Sequence, residues 1–534
     1  MNQKKDALAS SEQRIDKAAG IVGGFTFLSR ILGLIRDMVI ARIFGSGVIT
    51  DAFFVAFRIP NLLRRLFGEG SLTVAFIPVF SEYLNKDKKD ALRLANGFLT
   101  IVSILLAIVV IIGIFLAPWI VRLQAYGFGS SSYEYRLTVL LTRITFPYLF
   151  FICLVAFFMG VLNSFKHFSA PAAAPILLNL SIIGAAFLLS PHLGVPIVGL
   201  AIGVLIGGFL QLCLQIPWAL RYGLNLIPSL KEINHPGIKR IGVLMIPAIF
   251  GSAVYQLNQF IGTLLASFLP KGSISWLYYA DRLVQFPLGV FAISISTAAL
   301  PSLSDHMADD KKEDFIKILR HALSLTFFIS IPSIAGLIIL GKPIIMTLFQ
   351  RGQFHSIDTQ NTNYALIFYA VGLWAFSGSR ILVSAFYSMQ DTKTPVKIAT
   401  VALVSNLIFS LILMHPLRHG GLALGLSIAS SIQFFLLVIF LIPVTGADMI
   451  KGISRDILKF CLCTIIMAVT IYYTSHLLIP VRQDMGIIHK ISYLALNVLT
   501  GAFVYFLCAR VGGLKEARTL PNMLMARVSR QRRI

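Results

Sequence analysis

Between Phe25 and Tyr83 an otherwise apolar stretch carries Arg30, Arg36, Asp37, Arg42, Asp51, Arg58, Arg64, Arg65 and Glu69. A guanidinium is permanently charged and presents a planar fork of donors, so arginines set into a wall suit bidentate capture of a phosphate or a carboxylate. Acids among them suit holding a guanidinium in orientation. Catalysis needs other constellations, and the chain shows no HExxH, no GxSxG and only 10 histidines, most of them in loops, such as His415 and His419. Gly336 to Pro343 has the outline of a phosphate-binding loop, but it ends an apolar run and carries Pro343 where a Ser or Thr is required. The residues point to binding of an anion, with transport or lipid handling rather than catalysis, and call for no metal or cofactor.

The elements that must position these charges are membrane helices. Of 534 residues, 57% are hydrophobic and 13% charged, and mean hydropathy is +0.81; soluble domains carry about 25% charged residues. A charge at the bilayer centre costs roughly 2.5–3.5 kcal/mol, so four of them facing lipid would cost on the order of 10 kcal/mol. They must therefore face water, one another or a ligand. Apolar runs long enough to span fall near 20–44, 49–83, 92–121, 136–163, 171–190, 195–220, 239–268, 273–303, 315–340, 360–387, 395–415, 419–445, 455–479 and 486–511. The expectation is an all-α polytopic membrane protein of about 14 transmembrane helices. The first twenty residues are polar and lack a signal-peptide pattern, so insertion is expected to use the first helix.

Loop charge gives an orientation. KDKKD at 86–90, FKHF at 165–168, the segment 221–240, DDKKED at 309–314, QDTKTPVK at 390–397 and KGISR at 451–455 share one side, whereas SPHLGVP at 190–196 is nearly uncharged. The positive-inside rule makes the first set and both termini cytoplasmic, with the loops near 190–195 and 416–420 external. The net charge of +23 sits in these loops and in the basic tail Arg527 to Arg533, which suits an anionic leaflet rather than nucleic acid. The five cysteines lie in apolar runs and read as small buried hydrophobes.

An internal repeat sets the architecture. Pro78-Val-Phe-Ser81-Glu82 followed by Lys88-Lys89-Asp90 recurs as Pro301-Ser-Leu-Ser304-Asp305 followed by Lys311-Lys312-Glu313; Ser164 recurs as Ser388, Gly199 and Gly203 as Gly421 and Gly425, and Gln211 as Gln433, with an offset of 222 to 224. The organisation expected is a tail at 1–19, a first six-helix lobe at 20–222, a linker at 223–238, a second lobe at 239–446 related by a pseudo-twofold along the membrane normal, two further helices at 447–512 and a basic tail at 513–534. Gly199, Gly203 and Gly207, and likewise Gly421, Gly425 and Ala429, follow the spacing that lets helices approach closely.

The repeat also serves as a control. A charge needed only to build a lobe should recur, yet opposite Arg64 and Arg65 the second lobe reads PLGVF (Pro287 to Phe291), and opposite Arg30, Arg36 and Asp37 it reads GSAVYQLNQF. Arg58 does recur, as Arg282 beside Asp281. At about 100° per residue, Arg30 and Asp37 share a face and Arg36 lies about 120° away; Asp51, Arg58, Arg65 and Glu69 form one stripe from which Arg64 departs, with Pro60 able to shift the phase. Arg42, Arg122 and Arg221 sit at helix ends, where snorkelling suffices. Arg143 and Arg380 are intermediate.

SRILGLIRDMVIARIFG, TDAFFVAFRIPNLLRRLFGEG and WLYYADRLVQFP resemble the MurJ (MviN) lipid II flippases, within the multidrug/oligosaccharidyl-lipid/polysaccharide exporter superfamily. The resemblance covers essentially the whole chain. It implies two six-helix lobes around a cationic cavity, a groove from the last two helices for a polyprenyl tail, and alternating access without ATP in a bacterial cytoplasmic membrane. Lipid II would be the substrate and the cell-wall synthesis machinery a possible partner. Carried over by motif, the substrate-binding positions would be Arg30, Arg36, Asp37, Asp51, Arg64, Glu69 and Arg282, with Arg58, Arg65, Asp281 and Arg380 secondary. The family's sodium site uses acids on the seventh and eleventh helices; here the seventh offers Gln256, Asn258 and Gln259, so membrane potential or another cation is left as the drive. The alternatives are export of another polyprenyl-diphosphate-linked oligosaccharide, or multidrug export, which favours an acidic cavity.

Overall fold

The structure is a computed structural model and describes residues 2–66, 72–309, 311–446, 448–478, 480, 482 and 485–517. Glu69 and the basic tail at 527–533 lie outside the described residues. Among the described residues the apolar runs fall mainly on helix, and the chain divides into two compact units, residues 1–274 and 275–534.

The first unit contains α1 (Asn2–Phe44), α2 (Val48–Arg64), α3 (Thr73–Lys86), α4 (Lys88–Gln124), α5 (Tyr133–Thr145), α6 (Tyr148–Ser164), α7 (Ser169–Leu188), α8 (Val198–Arg221) and α9 (Pro236–Ala266). Polar residues fix the starts of these rods: the Asp87 carboxylate accepts from the Lys89 amide at 2.9 Å, and the Ser132 hydroxyl from the Tyr135 amide at 3.0 Å. The glycine stripe of α8 lies on α7. A Cβ at Gly203 would stand 2.7 Å from that of Ala185, and one at Gly207 2.8 Å from Leu178.

α9 belongs to the run assigned by the repeat to the second lobe, yet its bonds hold it in the first unit. His235, just before it, meets Asp90 at 3.3 Å, Arg240 pairs with Glu82 at 2.6 Å, and a Cβ at Gly237 would touch Leu94 at 2.9 Å. The boundary between the compact units falls at 274/275.

The second unit runs through α10 (Ser273–Pro287), α11 (Ile293–Ala308), α12 (Lys312–Leu348), α13 (Ser356–Val371), α14 (Leu373–Ser388), α15 (Lys393–Thr445), α16 (Asp448–Tyr473) and α17 (Ile487–Val511). α15 contains two of the apolar runs, which meet at Arg418, where φ is 49°. Across that bend a Cβ at Gly425 would stand 2.7 Å from the Ser410 hydroxyl, so the second glycine stripe works as the first does. The last two helices pack on α12: Phe328, Phe460 and Tyr505 form one buried cluster, with the Tyr505 hydroxyl donating to the Phe328 carbonyl at 2.8 Å.

The repeat is written into the backbone of each unit. Lys166 and Gln390, 224 residues apart, both adopt φ of 60°. The helix widens into a π turn at 65–66 and again at Leu288–Ala292, 223 residues on.

Among the described residues nine helical spans are long and apolar enough to cross a membrane, or ten with the bent pair α13 and α14. The difference from the fourteen apolar runs is local. Runs 395–415 and 419–445 merge in α15, and run 49–83 contains residues outside the description.

Burial refines the test of orientation, because Ser190 and His419, in the loops expected outside, are buried, whereas His192 and His415 are exposed. Single cysteines at His192 and His415 in a cysteine-free background should react with an impermeant thiol reagent in intact cells. Reaction at Ser229 instead reverses the orientation.

Candidate functional site

Arg36 and Asp37 are adjacent on α1 and both buried, at 8% and 1% exposure. The Arg36 Nε and Nη2 donate to the same Asp37 oxygen, Oδ1, at 3.0 and 2.7 Å, and its Nη1 donates to Asn179 Oδ1 of α7 at 3.1 Å. Asn179 is itself fixed, since its Nδ2 donates to the Ser29 carbonyl at 3.1 Å. Gly33 of α1 faces the same amide, and a Cβ there would stand at an ordinary contact distance of 3.8 Å from it. The guanidinium is thus held from two helices, in a plane set before any ligand arrives.

This arrangement corrects the helical wheel. Arg30, expected on the face of Asp37, is exposed, whereas Arg36 reaches sideways to its neighbour and is buried with it. The Arg36–Asp37 pair is neutral, so the positive character of this unit's arginine set rests on its other members.

Along α2 the charges separate by depth. Asp51, in the first turn, is buried and accepts from the Gly272 amide at 2.7 Å, which ties it to the start of α10. Arg58 is half-buried and donates to the Thr263 hydroxyl and to the Gln259 carbonyl at 3.4 Å, both on α9. Arg64 donates to Asn61 at 3.0 Å, and it and Arg65, at the π turn, are half-buried. Arg42 is exposed at the end of α1.

In the second unit Arg282 is exposed on α10. Its guanidinium lies over the Tyr278 ring at 4.8 Å and donates to the hydroxyl of the same residue at 2.8 Å. Asp281 accepts from Gln285 at 3.4 Å, and Arg380 is exposed on α14. Four side-chain partners of the arginines were not singled out from the sequence: Asn61, Asn179, Thr263 and Tyr278. Asn179 had a signal, a polar residue inside the apolar ILLNLS. Among the described residues no three His, Cys, Asp or Glu side chains gather as a metal site.

The fork geometry can be tested by substitution. An ammonium keeps the charge of Arg36 but cannot make two parallel bonds. With charge-assisted bonds worth about 1.5–3 kcal/mol, Arg36→Lys and Arg282→Lys should each reduce activity roughly tenfold or more at normal membrane abundance, while Arg42→Lys is nearly silent. The check is complementation of a strain lacking the protein, with quantified expression. Full complementation by Arg36→Ala contradicts the assignment.

Comparison with known proteins gives the family. A family model described as lipid II flippase MurJ matches residues 40–483. A probable lipid II flippase MurJ of Vibrio cholerae is 40% identical over 437 residues, covering 80% of this chain and 82% of its own. The lipid II flippase MurJ of Burkholderia cenocepacia is 40% identical, covering 78% and 81%. Among solved structures, a lipid II flippase MurJ in an inward closed conformation superposes with a TM-score of 0.79 at 31% identity, covering 92% of this chain and 98% of that one. An inward-facing multidrug transporter of the MATE family gives 0.66 at 14% identity, which shares the fold alone. With most of its length matched by the family model and by relatives of this similarity, the chain belongs to the MurJ lipid II flippase family.

Proposed function

We propose that this chain carries lipid II from the inner to the outer leaflet of the bacterial cytoplasmic membrane by alternating access, in support of cell-wall synthesis. Membership of a transporter family makes it a carrier and not a catalyst. The observation that carries the reading is the buried Arg36 fork, oriented by Asp37 and Asn179. A diphosphate joins the large polar head of lipid II to its isoprenoid tail. It is the group a fixed guanidinium recognises best.

In this reading all fourteen apolar runs cross the bilayer with both termini cytoplasmic. The two lobes are related by a pseudo-twofold along the membrane normal and rock about a central site. Arg36 and Arg282 grip one diphosphate, and Arg30, Arg58, Arg64 and Arg65 supply the positive field around it. The polyprenyl tail runs along the outer faces of α16 and α17, where Leu458, Leu462, Ile465, Leu499 and Phe503 are exposed. Membrane potential or a cation gradient supplies the drive, and enzymes that polymerise the wall outside remove the product.

Depletion of the protein should leave the undecaprenyl-linked peptidoglycan precursor accumulating on the inner leaflet, followed by lysis. Normal amounts of lipid II on the outer leaflet of depleted cells, with no second flippase present, overturn the reading.

A further inference from the structure

Arg282 is held in a way that its counterpart in the first unit is not. It lies in the apolar span Ser273–Ala308, about 14 Å from the start of that span by helical rise, which is close to the middle of a hydrocarbon core about 30 Å thick. Yet it is exposed. A charge at that depth is too costly to turn toward lipid, so its exposure is to water or to a ligand.

What steadies it can be followed outward from the core of the second unit. Tyr279 is fully buried, with the Phe349 and Phe354 rings 5.0 and 5.5 Å from its own. Tyr278, half-buried beside it, meets the Tyr279 ring edge to face at 5.7 Å. The Tyr278 ring is therefore braced by a side chain locked in the core. Over that ring, one helical turn on, lies the Arg282 guanidinium at 4.8 Å, and its Nη2 donates to the hydroxyl at 2.8 Å. The phenol engages the guanidinium through its face and its oxygen together. Being neutral, it cancels none of the charge.

The repeat shows that a lobe can be built without this pair. Arg282 corresponds to Arg58 at an offset of 224, so Tyr278 falls on Phe54 and Tyr279 on Val55. Phe54 has no hydroxyl to offer, and Arg58 donates across to the Thr263 hydroxyl and the Gln259 carbonyl of α9. The bonds of Arg58 thus tie two helices together. The Tyr278 contact instead holds Arg282 from within its own helix, so that the guanidinium is carried wherever α10 goes.

We propose that Tyr278 is a positioning residue for diphosphate binding: it fixes the Arg282 guanidinium as an oriented, fully charged plane before the ligand arrives. This inference rests on the reading of Arg282 as a diphosphate-binding group. An arginine side chain carries much rotamer freedom, and whatever must be frozen on binding is subtracted from affinity. Tyr278 removes that cost in advance. Its effect on the ligand passes entirely through Arg282, which separates this role from a direct contact and from a packing role.

The test is equilibrium binding of undecaprenyl diphosphate, with undecaprenol as the uncharged control, to the purified full-length protein in lipid nanodiscs. Tyr278→Phe, which keeps the ring and loses one oxygen, should weaken diphosphate binding roughly fivefold, and Tyr278→Leu, which loses both contacts, roughly twentyfold. Undecaprenol binding should stay at the wild-type level in both variants, and thermal melting checks the fold of each. In an Arg282→Gln background, where the diphosphate affinity is already reduced, adding Tyr278→Leu should change it by less than about twofold. Wild-type affinity in Tyr278→Leu overturns the inference. So does the same loss from Tyr278→Leu whether Arg282 is present or not, or an equal loss of undecaprenol binding, which would make Tyr278 a packing residue only. A wild-type protein that binds undecaprenyl diphosphate no better than undecaprenol contradicts the diphosphate reading itself, and the inference falls with it.

Discussion

A charge inside an apolar protein must be paired or solvated, and the Arg36–Asp37–Asn179 contact is where this chain meets that constraint most tightly. Removing any one partner would leave a buried charge or amide uncompensated, which is among the most destabilising changes a protein can suffer. The contact also fixes packing. It needs α1 and α7 close enough for Asn179 to donate back to the Ser29 carbonyl. α7 in turn is locked to α8 by the glycine stripe at Gly203 and Gly207. One ionic contact and one stripe of small residues together set the α1–α7–α8 stack.

Much of this was legible in the sequence, because membrane helices are written in composition and a duplicated lobe in motif spacing. Among the described residues the apolar runs fall mainly on helix, and the repeat spacing reappears as matched backbone turns at Lys166 and Gln390 and as matched π turns. The arginine set also stood out, since few charges survive in an apolar run without a reason. What the wheel could not give was the reach of a side chain. It separated Arg36 from Asp37 by placing Cα atoms, whereas a long arginine folds back to its neighbour and to a helix 143 residues further on. It also could not give the bond from the Gly272 amide to Asp51, which joins residues 221 positions apart.

The unit boundary teaches a related point. Motif spacing assigns α9 to the second lobe, but hydrogen bonds from His235, Arg240 and Arg58 hold it in the first unit. Sequence repeats record how a chain was duplicated. Polar contacts record where each helix is now held, and in a carrier that changes shape the two need not agree.

The central claim, that this chain moves a diphosphate-linked lipid through a site built on fixed guanidinium groups, is tested most directly by reconstitution. Purified protein in liposomes carrying lipid II on one leaflet would be sampled with a membrane-impermeant reagent for its head group, with a neutral glycolipid of similar size alongside. The account predicts that lipid II reaches the opposite leaflet faster than in protein-free liposomes, and that free undecaprenyl diphosphate slows it while the neutral lipid stays put. Equal movement of both lipids, or none above the protein-free rate from a correctly folded protein at an imposed membrane potential, would contradict it.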